Sequence, residues 1–256
     1  KSRAVSHKTG RASGHVLCAS ALLPCNKCLH LRSPGGCYVL DHFLCCVMWH
    51  LLLLSLPQLC CSLGHSPTAG GGGVMALRGD AMKGEQHFVP TVGGHKNAMD
   101  LVHQMNDLGR GKYLHDEKIS AEENKFCIGV AGYPEKHIEA PSINYDLKWL
   151  KQKVDAGADY IVTQMFFDNK KFIDFVKQAR EIGINVPIIP GIKPIATKGH
   201  LQMLPKVFKI DLPEDLISEV EKAKDNTAVK QIGIEWAIAQ CRELMDFGVP
   251  VLHFYS

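Results

Sequence analysis

DAGADYIVTQMFFD, residues 155–168, holds in one stretch the features that decide the fold. Asp155 and Ala156 read as the tail of a helix, and Gly157 supplies the left-handed turn that ends it. Tyr160, Ile161, Val162 and Thr163 follow as an aromatic and β-branched run, the composition of a buried strand. The run stops on Gln164, a neutral amide with two donors and two acceptor lone pairs. A polar residue at the carboxyl end of a buried strand is where α/β folds gather their chemistry.

The same rhythm runs through the chain from residue 74 onward, on both sides of this stretch. VMALR (74–78) reads as a strand, and a helix is expected from about Asn97 to Leu108 with Met99, Val102 and Met105 on one face. FCIGVAG (126–132) is the next strand, followed by a helix in NYDLKWLKQKVDAG, capped by Asn144, ended by Gly157 and striped by Leu147, Leu150 and Val154. After the opening strand (159–164) comes a helix near 170–182 closed by Gly183, and then a fourth strand at 186–192. Helical stretches near 198–207, 213–223 and 227–246 lead to a last strand, PVLHFY (250–255).

Continuous apolar strands alternating with amphipathic helices imply a parallel sheet buried on both faces. No GxGxxG turn follows any strand, which argues against a dinucleotide-binding doubly wound sheet. The expected class is therefore α/β, of the (β/α)8 TIM-barrel type, incomplete at about five βα units. In that architecture Asp80, Tyr133, Gln164 and Lys193 all lie at or just past strand ends.

Residues 1–73 have another texture. They hold six Lys/Arg, one acid and eight of the ten cysteines, and Gly70–Gly73 separate them from the rest. Residues 74–256 hold 23 Lys/Arg, 25 acids and two cysteines, as suits a reduced cytoplasmic protein. CNKC (25–28) has metal-ligand spacing but no second pair at a zinc-finger distance, so no metal site is expected. FLCCVMWHLLLLSLPQLCC (43–61) nears the roughly 20 residues of a membrane span, but His50 and Pro57 interrupt it, and no span is expected. With no persisting period, 1–73 reads as an atypical cysteine-rich lead segment without a designed fold, and 74–256 as the folded domain. The small basic excess, with no aromatic-basic stripe, argues against nucleic acid.

ALRGD (76–80), GVAGYPEKHIEAP (129–141), DLKWLKQKVDAGADYIVTQMFFD (146–168), PIIPGIKPI (187–195) and LHFY (252–255), taken together and in this order, closely resemble methylenetetrahydrofolate reductases. The resemblance implies a flavin enzyme on an eight-stranded (β/α) barrel, in which FAD takes a hydride from NAD(P)H and passes it to 5,10-methylenetetrahydrofolate, giving 5-methyltetrahydrofolate.

Carried over by position, Arg78, Gly79 and Asp80 match the strand-end triplet against the flavin, with Asp80 as the carboxylate that tunes it. Ala98 matches a small residue that lets the cofactor lie close. Tyr133, His137 and Ala140 match cofactor contacts after the second strand. Asp146, Trp149 and Lys153 recur at i, i+3 and i+7; by periodicity alone they form a solvated face, whereas the resemblance puts the FAD adenosine and diphosphate there. Gln152 stands where some relatives carry a basic residue. Gln164 matches the glutamine that meets nicotinamide and pterin in turn, an amide able to donate to one and accept from the other. His200 stands at a substrate position where some relatives have glutamine, as Leu204 does where they have phenylalanine.

The chain also departs from the pattern. Barrels of this family begin with about three further βα units, which carry the glutamate that protonates the folate N10; residues 1–73 contain no glutamate. Five strands cannot close an eight-stranded barrel without leaving ladder groups unpaired. Two readings follow: an FAD-dependent reductase of methylenetetrahydrofolate, or a truncated, non-catalytic relative that acts as a binding or interaction module. Borrowing the missing strands from a second copy is the route to a homo-oligomer.

Overall fold

The computed structural model describes residues 73–79, 81, 85, 87–112, 126–249 and 251–255. The chain divides into two units, Lys1–Cys37 and Tyr38–Ser256, and every described residue belongs to the second. The expectations for Cys25 and Cys28, for the apolar run 43–61 and for Asp80 lie outside the described residues.

Five strands, β1 (Gly73–Ala76), β2 (Cys127–Gly132), β3 (Tyr160–Met165), β4 (Ile188–Ile192) and β5 (His253–Phe254), pair in sequence order, every pair parallel. A doubly wound sheet reverses its order at a switch point. Here no reversal occurs, and the winding is that of a (β/α)8 barrel with five of its strands. Helices α1 (Ala98–Gly109), α2 (Ile143–Asp155) and α3 (Asn169–Glu181) alternate with the strands, and α4 (His200–Phe208), α5 (Glu214–Lys222) and α6 (Asn226–Phe247) lie between β4 and β5. Among the described residues no helix is long and apolar enough to cross a membrane.

The pleat explains why the strands read as unbroken apolar runs. Ile128, Val130, Ile161 and Ile188 join the cluster that holds Leu147, Leu150, Phe172 and Phe175 of the covering helices. Their neighbours Cys127, Tyr160, Val162 and Ile189 form a second cluster, with Met75 and Val251 against it. Successive side chains thus enter different cores, and both faces demand apolar residues.

The helix boundaries follow from capping. The Ser142 Oγ accepts the Tyr145 N–H at 3.2 Å, so Ser142, and not Asn144, caps α2. Asp168 caps α3 and Asp225 caps α6 in the same way, each accepting a backbone N–H at 2.9 Å. On α1 Val102 and Met105 are buried while Met99 is half-buried. Gly157, at φ +109°, ends the α2 turn, and the Asn106 side chain donates to the Ala156 carbonyl at 2.8 Å, tying α1 to that end.

A third cluster, which includes Met165, Phe167, Ile195, Leu204, Leu216 and Val229, packs α4–α6 against the ends of β3 and β4. Gly233 permits it. A Cβ at this position would stand 2.0 Å from the Ile195 carbonyl oxygen and 2.8 Å from that residue's backbone N and C. Backbone cannot swing aside as a flexible side chain can, so Gly233→Ala must displace α6. Its expected cost is about 2 kcal/mol, read as a lower urea midpoint at unchanged m-value; a midpoint at or above that of the parent would show that the contact is not limiting.

Candidate functional site at the strand ends

β3 does not pair regularly to its end. Val162 faces Ile189 and Met165 faces Gly191, so β3 carries one residue more than β4 across this interval, a β-bulge. The Thr163 Oγ1 receives the Gly191 N–H at 3.0 Å, and the Tyr255 hydroxyl donates to the Thr163 carbonyl at 2.8 Å. Gly191 leaves room for this junction, since a Cβ there would meet the Thr163 oxygen at 2.3 Å. Gln164 sits in the bulge, half-buried, and its Oε1 accepts the Met165 N–H at 3.1 Å. This uses one of the two lone pairs of the amide oxygen, and the other lone pair and the NH2 group are left for a visitor.

Tyr255 links this junction to the loop after β2. Burial, and then the nearness of Tyr133, pushes its phenol above the ordinary tyrosine range. His253, on β5 just before it, packs edge-on to Tyr255 with ring centroids 4.6 Å apart. It is buried, which lowers its pKa, and its Nε2 has no hydrogen-bond partner.

The loop 133–140 is held from several sides. Tyr133 and His137 meet edge-on with centroids 4.7 Å apart. His137 lies below its ordinary pKa through burial, and its Nδ1 accepts the Glu139 N–H at 3.1 Å, so the neutral ring carries its proton on Nε2. The Asp146 carboxylate of α2 receives the His137 N–H at 2.8 Å. Glu139 pairs with Arg78 at 2.7 Å, a hydrogen bond that holds its carboxyl below the usual range, and Arg78 lies 5.1 Å from the Phe88 ring centroid. Ala140 is buried, and its carbonyl accepts from the Lys136 Nζ at 2.8 Å.

Lys153 corrects the expectation of a solvated face. Its stem is half-buried, but its ammonium turns inward to donate to the Ala131 carbonyl, near the end of β2, at 2.6 Å. Burial lowers its pKa from 10.5 to about 8, with Asp146 acting in the opposite direction. Trp149 is half-buried and edge-on to Tyr145, at 6.5 Å between centroids, whereas Gln152 is exposed.

The structure therefore gathers Arg78, Tyr133, His137, Ala140, Asp146 and Lys153 around one loop, and Tyr255 carries the connection on to Thr163 and Gln164. Gly79 and Ala98 are half-buried, the latter at the start of α1. His200 belongs to a second group after β4. Its Nδ1 accepts the Ala196 N–H at 3.2 Å, and burial together with the charge of Lys193 lowers its pKa.

Sequence reasoning missed Glu139, Glu135 and Tyr255. Glu135 joins Lys171 of α3 at 3.0 Å and the Asp211 N–H at 2.8 Å, partners that no local spacing announces. Among the described residues no group of three or more His, Cys, Asp or Glu is placed to hold a metal ion.

Comparison with known proteins places this arrangement. The methylenetetrahydrofolate reductase family profile matches residues 54–256, beginning upstream of the expected residue 74. Methylenetetrahydrofolate reductase (NADH) 1 of Arabidopsis thaliana is 41% identical over 222 residues, 82% of this chain and 35% of the relative. Methylenetetrahydrofolate reductase 2 of Saccharomyces cerevisiae is 37% identical over 213 residues, 81% of this chain and 33% of the relative. A probable methylenetetrahydrofolate reductase (NADPH) of Caenorhabditis elegans is 37% identical over 185 residues, 72% of this chain and 26% of the relative. The chain thus spans about a third of the length of the curated relatives it matches. A solved structure from Clostridium thermocellum, an uncharacterized protein that binds two copies of 5-methyl-5,6,7,8-tetrahydrofolic acid, aligns at a TM-score of 0.40 and 20% identity over 51% of this chain and 48% of that one, too distantly to support an argument. Sequence order, the sheet that carries it and identities of this extent agree, and the chain belongs to the methylenetetrahydrofolate reductase family.

Proposed function

We propose that this chain contributes the cofactor-bearing part of an oxidoreductase that converts 5,10-methylenetetrahydrofolate to 5-methyltetrahydrofolate at the expense of NAD(P)H, with FAD as the bound cofactor. The observation that carries the reading is Lys153, an ammonium enclosed at the end of β2 and held at about pKa 8, whose one direct partner among the described residues is a carbonyl oxygen. A buried cation so placed gains from an arriving anion. A diphosphate is the chemistry that fits it, and Trp149 and Asp146 on the same helix face would flank an adenosine. FAD, when bound, supplies hydride transfer between the nicotinamide and the folate.

In this reading the chain's own residues position the reactants. Tyr133 offers a flat ring whose edge is fixed by His137. Neutral His137 donates from Nε2, and the Arg78–Glu139 pair holds the loop while Gly79 and Ala98 let the cofactor approach closely. Ala140 closes the loop's buried side. Asp80 would set the electrostatics beside the flavin. Gln164 presents its amide N–H groups to nicotinamide and pterin in turn, and His200, with Nδ1 committed to Ala196, presents Nε2 toward the folate. Gln152 lies at the rim, exposed.

The test starts with the full chain incubated with FAD and desalted. It should stay yellow, bleach with NAD(P)H under anaerobic conditions and regain colour on addition of 5,10-methylenetetrahydrofolate; protein that emerges colourless refutes the cofactor assignment. A yellow protein that bleaches but forms no 5-methyltetrahydrofolate is a flavin-binding relative and refutes the assigned reaction.

Lys153→Met should weaken FAD about tenfold, the size of one charge-assisted contact. The contact is also linked to pH. Above pH 8 the free site loses the lysine proton, so binding the diphosphate must restore it, and affinity should fall by up to about tenfold per pH unit in the parent but not in Lys153→Met.

Without cofactor the sign is fixed by the same group. Between about pH 8 and 10.5 the unfolded chain retains a proton that the folded one has lost, so the parent's stability should rise with pH relative to Lys153→Met. Urea titrations at pH 7.5 and 9.5 measure this; a flat or falling difference would mean that the ammonium is solvated.

A further inference from the structure

The alternation of β4 decides where Lys193 stands. Ile188 and Ile192 pack under the helices, whereas Ile189 joins the cluster on the opposite face of the sheet. Gly191 shares the face of Ile189, and a Cβ there would point at the Tyr255 ring, 2.5 Å from its nearest carbon. The ladder stays regular past this point: Gly191 faces His253, Ile192 faces Phe254, and the Tyr255 N–H reaches the Ile192 carbonyl at 2.8 Å. Lys193, one residue further, therefore falls on the face of Ile189 and Gly191, the face of Tyr160 and Val162 on β3. It is the strand-end residue of β4 as Gln164 is of β3.

This lysine is half-buried, and burial lowers its pKa. No hydrogen bond or ion pair engages its ammonium, and no carboxylate acts on it. The other cations near the strand ends are engaged, Arg78 by Glu139 and Lys153 by the Ala131 carbonyl. Sheet order puts β3, with Gln164, between β2 and β4. Two strand spacings, about 10 Å, thus separate the end of β4 from the end of β2, where Lys153 lies, so the two ammonium groups call for separate anions.

The segment after Lys193 folds back and brings a second donor. The His200 Nδ1 accepts the Ala196 N–H, so the neutral ring carries its proton on Nε2, and the ring lies close enough to Lys193 to feel its charge. One ammonium and one imidazole N–H suit an anion of single charge with two oxygens. In 5,10-methylenetetrahydrofolate the ring system is neutral and the negative charge is confined to the carboxylates of the glutamyl end.

On the basis of the folate reading above, on which this inference rests, we propose that Lys193 and His200 recognise a glutamyl carboxylate of the substrate, the ammonium supplying the charge and the imidazole Nε2–H one hydrogen bond. Binding gives a half-buried cation the counter-charge that no described residue supplies.

Equilibrium dialysis of the FAD-loaded full chain against 5-methyltetrahydrofolate tests it. The control ligand is the pteroyl butylamide counterpart, which keeps the ring system and lacks both glutamyl carboxylates. Lys193→Met should hold 5-methyltetrahydrofolate about tenfold more weakly than the parent, the size of one charge-assisted contact. Lys193→Arg keeps the charge and should recover most of that affinity. The butylamide should bind the parent and Lys193→Met alike. FAD retention and the NAD(P)H concentration that half-saturates anaerobic bleaching should be the same in both, as should the urea midpoint, since the ammonium has no partner to lose. Equal affinity of the parent and Lys193→Met for 5-methyltetrahydrofolate, an equal loss with the butylamide, or a loss that falls on NAD(P)H instead would overturn the proposal. A parent that emerges without FAD refutes the cofactor assignment alone. Dialysed in the same way, that colourless chain still reads the Lys193 contact, and absence of any 5-methyltetrahydrofolate binding by the parent overturns it.

Discussion

Each of the central strands β2 to β4 is required to be apolar on two sides at once, and most of the molecule's organisation follows from that constraint. Side chains along β2 to β4 alternate between the cluster under the helices and the cluster on the opposite face, so neither face has space for polar groups. Polar chemistry is displaced to where the ladder ends. There the bulge at Thr163 replaces regular pairing with a hydroxyl contact to Gly191, and Tyr255 from the last strand closes over it. Three strands are joined at one point, and Gln164 is presented beside that junction.

The loop after β2 depends on the same edge. It carries Tyr133 and His137, and it is fastened by groups from distant parts of the chain: Arg78 after β1, Asp146 on α2, and Lys171 and Asp211 through Glu135. None of these contacts need be strong by itself, since partly exposed ion pairs contribute little. Their effect is geometric. A loop held from four parts of the chain keeps its aromatic and imidazole rings in one arrangement, which is what a site for a flat cofactor needs.

Lys153 and Gln240 show the two opposite ways in which burial leaves a charge or a lone pair wanting. Lys153 is a cation with a carbonyl where an anion would suit it better. Gln240 is an acceptor at the end of a polarised chain of amides, with carboxylates around it. Only the first of these lies where an arriving group could meet it, and the diphosphate proposed above has the sign it requires.

The sequence by itself determined the period of the fold. Apolar runs, helix stripes and turn glycines place β1 to β5 and the helices to within a few residues, because these signals are local and the sheet's double burial imposes them on each strand separately. Candidate residues at strand ends were legible for the same reason, since position along a strand is enough to mark them. The inward turn of Lys153, the capping of α2 by Ser142 rather than Asn144, the bulge that occupies the Gln164 carbonyl and the Glu139, Glu135 and Tyr255 contacts were decided only by tertiary structure. Helical periodicity assigns Lys153 to a polar face but cannot tell water from a neighbouring strand's carbonyl. A bulge is a relation between two strands, and a partner 76 residues away leaves no trace in local spacing.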